Sequence, residues 1–252
     1  MKNGMIIGFT MILLSISAQV NTEKFRAPEE FEGLSGYLEL KGTIKTGNAE
    51  KTEAGVDGRL NWKTKSSTTF FVFESDYEWV DNKRSSDEGL FHIRYIHELV
   101  DSFEVEAYGQ INYDKKLLIT NRELVGAGLR YKLFDFDKSD VSIGTGFMFE
   151  HENYDVSENS FHPSEVKISR WSNYISFYFQ LNQSVTLGGV IYYQPMFSNF
   201  SDYRLLNESS LIVGLSKLFS LTVNFKIRHD YFPPDGIEQT DTETNLGIAV
   251  KF

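Results

Sequence analysis

Apolar and polar residues alternate one by one along most of the chain after residue 33, and this period of two constrains the fold more than any other feature. Successive side chains of a β-strand point to opposite faces, so the alternation predicts strands with one apolar and one polar face. In the segment from Leu34 to Ile44, Leu38 and Leu40 share one face while Glu39 and Lys41 share the other. The pattern recurs in twelve segments, at residues 34–44, 54–62, 71–79, 91–95, 103–114, 125–133, 141–149, 171–181, 185–193, 209–215, 221–231 and 246–252.

The connections between these segments alternate between short and long. Residues 64–67, 100–102, 182–184 and 217–220 are tight, whereas 80–87, 152–164, 195–202 and 232–241 are longer and polar. Short turns at one end and longer loops at the other are typical of a transmembrane β-barrel. The fold prediction is therefore an all-β, antiparallel, up-and-down transmembrane barrel of about 12 strands.

The main alternative is a soluble β-sandwich, which would bury one face of each sheet. Charges occur on nearly every polar face, and a soluble core could not satisfy so many of them. A sandwich also predicts edge-strand devices such as proline, yet Pro163, Pro195, Pro233 and Pro234 all fall in predicted loops. Aromatic residues near strand ends match the girdles at membrane interfaces; they are Trp62, Trp79, Tyr131, Tyr193, Tyr231 and Phe252.

The N-terminus has the pattern of a secretory signal peptide. Lys2 precedes an apolar run from Met5 to Ile16, and small residues follow up to Ala18. The run is too short for a membrane-spanning helix, which needs about 20 residues. We therefore expect a signal peptide at residues 1–18, a periplasmic lead-in at 19–33 and a barrel at 34–252, located in the outer membrane of a Gram-negative bacterium.

Composition narrows the function. The chain lacks cysteine, which excludes thiolate metal sites and cysteine nucleophiles. Its net charge of −10 leaves no basic stripe for nucleic acid, so no such partner is expected. The mean hydropathy of −0.30 would suit a soluble protein, but it averages two very different strand faces.

The last strand carries the most specific motif. A polar residue, a glycine two positions on, and apolar or aromatic residues at the third-last and last positions form the recognition pattern of outer-membrane barrels. Asn245, Gly247, Val250 and Phe252 fill these places. This assembly signal implies the barrel-assembly machinery and periplasmic chaperones as partners during biogenesis, with outer-membrane lipid around a monomeric barrel.

Four further stretches support a family resemblance: residues 122–131, 144–150, 170–174 and 241–247. They resemble the YdiY-like salt-induced outer-membrane proteins, a family defined by a domain of unknown function. The resemblance extends over about residues 34–252. It implies an outer-membrane barrel, a response to salt and no established enzyme activity, so no catalytic residues carry over.

The polar faces are expected to line the barrel lumen. Their acids and bases nearly balance, which favours space-filling ion pairs over a strongly ion-selective pore. Excess acid is expected in loops and turns, for example at Glu53 and Asp241. The predicted lumen charges are Glu39, Lys41, Asp57, Arg59, Glu74, Asp76, Arg94, Glu104, Glu106, Arg122, Arg130, Arg170, Arg204, Glu208, Lys226 and Arg228.

Four glycines are predicted to face the lumen on two adjacent strands: Gly126, Gly128, Gly144 and Gly146. They could form a groove that serves as a solute path. The preferred interpretation is structural, with rings such as Tyr108 or Tyr174 lying over the glycines and the missing side chains helping the wall to curve.

Catalytic motifs are weak. His162-Pro163-Ser164 has a His and a Ser close together, but in a long loop. Glu150-His151-Glu152 is not a metal site on a strand, because His151 points away from both glutamates. No cofactor or metal is expected, and an outer-membrane lipid hydrolase is the least favoured function.

The favoured function is a non-enzymatic envelope protein. It would be either a narrow pore for small solutes or a structural barrel that responds to salt or osmotic conditions. The alternative is a surface-loop binding or adhesion barrel that uses residues 152–164 and 232–241.

Overall fold

A computed structural model describes residues 21–24, 32–45, 50–81, 83–136 and 138–252. The predicted signal peptide lies outside these residues. The described chain forms twelve β-strands: β1 Gly33–Lys45, β2 Lys51–Lys63, β3 Ser67–Val80, β4 Lys83–Val100, β5 Phe103–Asp114, β6 Ile119–Phe136, β7 Ser139–Tyr154, β8 Glu165–Gln180, β9 Val185–Met196, β10 Asn199–Gly214, β11 Phe219–Asp230 and β12 Thr240–Lys251.

Each strand pairs antiparallel with its neighbours in sequence, and β12 pairs with β1 to close the barrel. The closing seam is short, running from Tyr37 opposite Lys251 to Lys41 opposite Gly247. Gly36 and Phe252 extend it with two backbone hydrogen bonds of 3.0 and 3.1 Å. The predicted all-β, twelve-stranded up-and-down barrel is confirmed.

The outer wall is apolar. Leu40, Val125 and Ile248 are each more than half exposed, as expected of side chains that meet lipid rather than a protein core. Aromatic side chains lie near the strand ends, with Trp62 and Phe252 largely exposed. Within the described residues, no helix has the length and apolar character needed to cross a membrane.

Several strands extend beyond the predicted segments. β4 begins at Lys83 and β10 at Asn199, within segments predicted as loops. At the start of β4 both faces are polar, and at the start of β10 the alternation of apolar and polar residues is lost, but the strand pairing continues. Glu53 and Asp241, predicted in loops or turns, lie instead in β2 and β12, and Asp241 is buried. The prediction that these two acids lie in loops or turns was wrong because strand pairing extends beyond the alternating segments.

Polar and charged groups fill most of the lumen. Glu39, Glu150 and Gln194 are fully buried, which hydrogen bonds and ion pairs make tolerable. Apolar residues form small separate clusters among them, such as Tyr174 with Val190, Tyr192 and Leu206. The barrel interior is therefore a packed, charge-paired core.

Candidate functional site: the barrel lumen

A short segment before β1 lies inside the barrel. Asn21–Lys24 are between 1% and 7% exposed, although they belong to no strand. We call this segment the plug. It borders Lys63 and Thr68 beside the β2–β3 turn. It therefore lies in the half of the lumen nearest the short turns, where β1 begins and β12 ends. These four residues belong to the region predicted as a periplasmic lead-in, and their position inside the wall was not foreseen.

The two charged side chains of the plug form ion pairs with the wall. The Lys24 ammonium lies 2.5 Å from Glu39 and 3.4 Å from Asp57. The Glu23 carboxylate lies 3.3 Å from the Arg130 guanidinium. Because all five side chains are buried, these contacts are less screened by salt than surface pairs would be.

The plug backbone is also bound. Arg59 donates from Nη1 to the carbonyl oxygens of Thr22 and Lys24, at 2.7 and 3.3 Å. The Asn21 side-chain amide donates to the Gly188 carbonyl oxygen and to the Ser210 hydroxyl, at 3.4 Å each. The Asn21 side-chain oxygen accepts from the N–H groups of Glu23 and Lys24, at 3.0 Å each, and so holds the plug in a compact turn.

A cluster of ion pairs fills the lumen on the side of the longer loops. Arg204 lies 2.7 Å from Glu150, 2.8 Å from Glu152 and 2.7 Å from Asp230. Arg122 contacts the same two glutamates, each at 3.0 Å. We call this set, together with Arg170, Arg228, Asp202 and Asp241, the arginine cluster.

Between the plug and the arginine cluster, Arg94 pairs with Glu106 at 3.1 Å. The Tyr174 hydroxyl donates to the same carboxylate at 2.8 Å. The Arg94 guanidinium also stacks over the Tyr108 ring, 4.5 Å from its centroid. Cation–π and charge-assisted contacts together stabilise this buried guanidinium.

On the opposite wall the ion pairs use lysine. Lys41 lies 2.9 Å from Asp57 and 2.8 Å from Asp76, and Lys226 lies 3.0 Å from Glu74. Cavities of about 20 and 30 Å³ lie along this wall. Each has room for one or two water molecules. Both are lined by Lys41 and Asn245, so they adjoin each other along the barrel axis.

The structure places all the predicted lumen charges inside the barrel. Those with most side-chain surface buried are Glu39, Lys41, Asp57, Arg59, Arg94, Glu106, Arg122, Arg130, Arg170, Arg204, Glu208 and Arg228. Glu74, Asp76, Glu104 and Lys226 are slightly more open. Sequence reasoning missed two acids that are buried in the lumen: Glu152, in a segment predicted as a loop, and Glu88, between the predicted loop 80–87 and the predicted strand 91–95. It also missed the plug, which has no periodicity to reveal it.

The four glycines do not line an open groove. The Tyr108 ring covers Gly126 and the Tyr174 ring covers Gly144, so that a Cβ at either position would overlap the ring. Gly128 and Gly146 lie opposite each other, and each packs against the backbone of the other's strand. This arrangement supports the structural interpretation over a solute path.

The residues of the predicted assembly signal occupy different environments. Val250 and Phe252 face outward, while the Asn245 amide donates to Glu243. Gly247 faces inward, and its missing side chain leaves space for the Glu39 carboxylate. Through that space Glu39 passes over β12 and accepts from Thr222 and Asn224 of β11, at 2.7 and 2.8 Å.

The weak catalytic motifs have structural roles. His162 is buried, with its ring 4.5 Å from that of Tyr154 and 5.6 Å from that of Phe232. His151 points outward to Glu165, away from the flanking glutamates. In the part of the chain that the structure describes, no group of three His, Asp or Glu residues is arranged to hold a metal ion.

A closed antiparallel barrel with an apolar outer wall and a charge-paired lumen defines the class of outer-membrane β-barrels. Residues 38–252 match the family described as "Protein of unknown function, DUF481", and the chain belongs to that family. The YdiY-like family, proposed above from the sequence resemblance, is confirmed. No curated protein matched the sequence.

Solved structures of similar fold are outer-membrane barrels. An outer membrane channel from Pseudomonas putida F1 has a TM-score of 0.51 and 9% identity, covering 90% of this chain and 100% of that one. The NanC porin has a TM-score of 0.50 and 10% identity, covering 85% and 98%. The translocator domain of the autotransporter NalP from Neisseria meningitidis has a TM-score of 0.46 and 12% identity, covering 88% and 90%. At these identities the similarity concerns the fold alone.

Proposed function

We propose that the protein is a non-enzymatic pore of the bacterial outer membrane, narrow enough for small solutes only, and that the plug keeps it closed. A barrel of about 8 strands is filled by side chains, and one of about 16 strands has an aqueous channel. Twelve strands lie between these limits, so whether the lumen conducts depends on what fills it.

The observation that supports this proposal is the position of the plug among the lumen cavities. A cavity of about 90 Å³ at the short-turn end is lined by Thr22 and Glu23. The cavity of about 20 Å³ is lined by Asn21 and Lys24, and it adjoins the one of about 30 Å³. Withdrawal of the plug would therefore join three small spaces into one path along β1, β2, β3 and β12.

The wall of this path changes sign along its length. In the two adjoining spaces, Lys41, Lys116 and Lys226 face a larger set of carboxylates: Glu53, Asp57, Glu74, Asp76, Glu78, Glu88 and Glu208. The space at the short-turn end is instead basic, with Arg59, Lys63, Arg130 and Lys132 against Glu104. Because the two signs nearly balance over the whole path, the open pore should discriminate only weakly between cations and anions.

Deletion of residues 19–24 tests the proposal. The purified variant, reconstituted in a planar bilayer, should give discrete conductance steps and a reversal potential close to zero in a salt gradient. The unaltered protein should remain closed most of the time. Heat-modifiable gel migration checks that the variant is folded.

A double substitution tests the same proposal without deleting any residue. Glu23→Gln with Lys24→Gln keeps the chain length but removes all three ion pairs of the plug, and should give intermittent opening. Lys217→Gln, in the exposed β10–β11 turn, is the matched control and should behave as the unaltered protein. If both plug variants are folded but show no conductance over a range of voltages, the pore is refuted and a structural barrel is favoured.

A second candidate function is surface binding, favoured by the longest loops. Asp235 accepts from the Ser160 hydroxyl at 2.8 Å and the Phe161 N–H at 2.7 Å, joining the β7–β8 and β11–β12 loops. Phe161 is 94% exposed at the tip. Deletion of residues 154–163 should leave the barrel folded and abolish partner binding if this function is correct.

We further propose how the barrel is inserted into the membrane and how its abundance is regulated. A monomer would be inserted by the barrel-assembly machinery after escort by periplasmic chaperones, and outer-membrane lipid would cover its apolar wall. The salt response implied by the family resemblance predicts a change in protein abundance with the salt content of the growth medium, measurable by immunoblotting.

A further inference from the structure

The wall around the plug forms a site with separate positive and negative sides. Four bases, Arg59, Lys63, Arg130 and Lys132, and one carboxylate, Glu104, surround Thr22 and Glu23. Around Asn21 and Lys24, carboxylates are instead in excess: the wall presents Glu39, Asp57, Glu74 and Glu208 with Lys41 and Lys226. An acidic residue followed directly by a basic residue matches this distribution of charge.

The same wall also recognises peptide backbone. Arg59 binds two carbonyl groups of the plug. Gly188 allows the plug backbone to come close, since a Cβ there would be 3.3 Å from the Glu23 carbonyl oxygen. A sugar or a simple ion would leave several of these groups without partners, at a cost in affinity.

Contacts within the wall orient these groups without the plug. Arg59 donates from Nε to the Asn61 side chain at 2.6 Å and stacks 4.0 Å above the Phe70 ring. The Arg130 guanidinium also contacts Glu104, at 3.2 Å. Glu39 is held by Thr222 and Asn224 of β11. A site preorganised in this way keeps its shape when its occupant leaves.

We propose that this wall is a peptide-binding site, which the plug occupies in cis and which a free short peptide, with an acidic residue followed by a basic one, occupies when the plug withdraws. This rests on the proposed function and gives the pore its solute class. The plug acts as a tethered competitor. Because the plug is covalently joined to β1, its effective concentration at the wall is about millimolar, so free peptides compete at similar concentrations.

The test uses the full chain and its natural lack of cysteine. Thr22→Cys places one thiol in the plug, at a position that is 3% exposed, and preserves both charged side chains. Reaction with a maleimide should be slow in the folded barrel. The peptide acetyl-Asn-Thr-Glu-Lys-amide at millimolar concentration should accelerate the reaction by about tenfold, because it displaces the plug.

The control peptide acetyl-Asn-Thr-Lys-Glu-amide has the same composition and net charge in the opposite order. It should leave the labelling rate unchanged. Equal acceleration by both peptides would refute specific recognition, and no acceleration by either would refute the site.

A wall variant provides an independent measurement. Arg130→Gln in the Thr22→Cys background weakens the plug and the Glu-containing peptide alike, because both present a Glu to Arg130. The concentration of the Glu-containing peptide that half-maximally accelerates labelling should therefore stay about the same, whereas that of acetyl-Asn-Thr-Gln-Lys-amide should fall by about tenfold. Equal effects on both peptides would overturn the assigned contact. These labelling results are separate from conductance: silence of the plug deletion refutes the pore, whereas unchanged labelling refutes the peptide site.

Discussion

Replacement of Arg204 by Met should destabilise the barrel strongly, because Arg204 is the centre of the arginine cluster. Its guanidinium reaches Glu150, Glu152 and Asp230, each within 2.8 Å, and all four side chains are buried. Met fills similar space without charge. The substitution therefore leaves buried carboxylates with less compensation and introduces no steric clash.

The magnitude follows from the remaining partners. Removing one member of a buried ion pair costs about 3–5 kcal/mol. Glu150 and Glu152 keep Arg122 at 3.0 Å, and Asp230 keeps Arg228 at 3.6 Å. Since no carboxylate becomes wholly unpaired, we expect the lower end of the range, about 3 kcal/mol.

The assay is urea unfolding of the purified protein in detergent micelles, followed by tryptophan fluorescence and heat-modifiable migration. Lys167→Met is the matched control: Lys167 lies 2.5 Å from Glu165, but both side chains are more than half exposed, so the unfolding midpoint should not move. Addition of Glu152→Gln to Arg204→Met should restore part of the lost stability. Equal midpoints for Arg204→Met and Lys167→Met would refute the reasoning.

Two further predictions concern glycine packing and assembly. Gly126→Ala should lower folding yield, because its methyl group would overlap the Tyr108 ring, whereas Gly109→Ala on the neighbouring strand, with its nearest atoms at 3.8 Å, should fold normally; equal yields in refolding assays would contradict this account. Phe252→Ala should reduce the fraction of protein inserted into the outer membrane, measured by heat-modifiable migration of membrane extracts, while Phe136→Ala, an equally exposed outward aromatic, should not; equal insertion would show that Phe252 is not part of an assembly signal.

The sequence was sufficient to predict which side chains face the lumen, because a period of two assigns every residue of a strand to a face. It also predicted rings over glycines on adjacent strands, because the alternation places Tyr108 and Tyr174 on the same lumen face as Gly126 and Gly144. It did not predict which arginine contacts which acid. Such pairs depend on strand register and barrel tilt, so that Arg204 of β10 meets Glu152 of β7, three strands away.

The plug was beyond sequence reasoning for a different reason. Asn21–Lys24 is polar, short and without periodicity, like an ordinary exposed lead-in. Its burial depends on partners that are distant in the chain, such as Arg130 and Gly188. Similarly, β4 begins earlier than predicted because pairing with β3 holds Lys83 in the sheet even where neither face is apolar.

The position of Glu39 determines the order of events when the barrel forms. This carboxylate on β1 binds Lys24 of the plug, yet it is oriented by Thr222 and Asn224 of β11, on the far side of β12. The three strands have this arrangement only after β1 and β12 have joined. The full set of plug contacts therefore forms only in a completed barrel. Under the proposed function, a barrel with an unjoined seam would be leaky, so leakage of a small dye would measure faulty assembly.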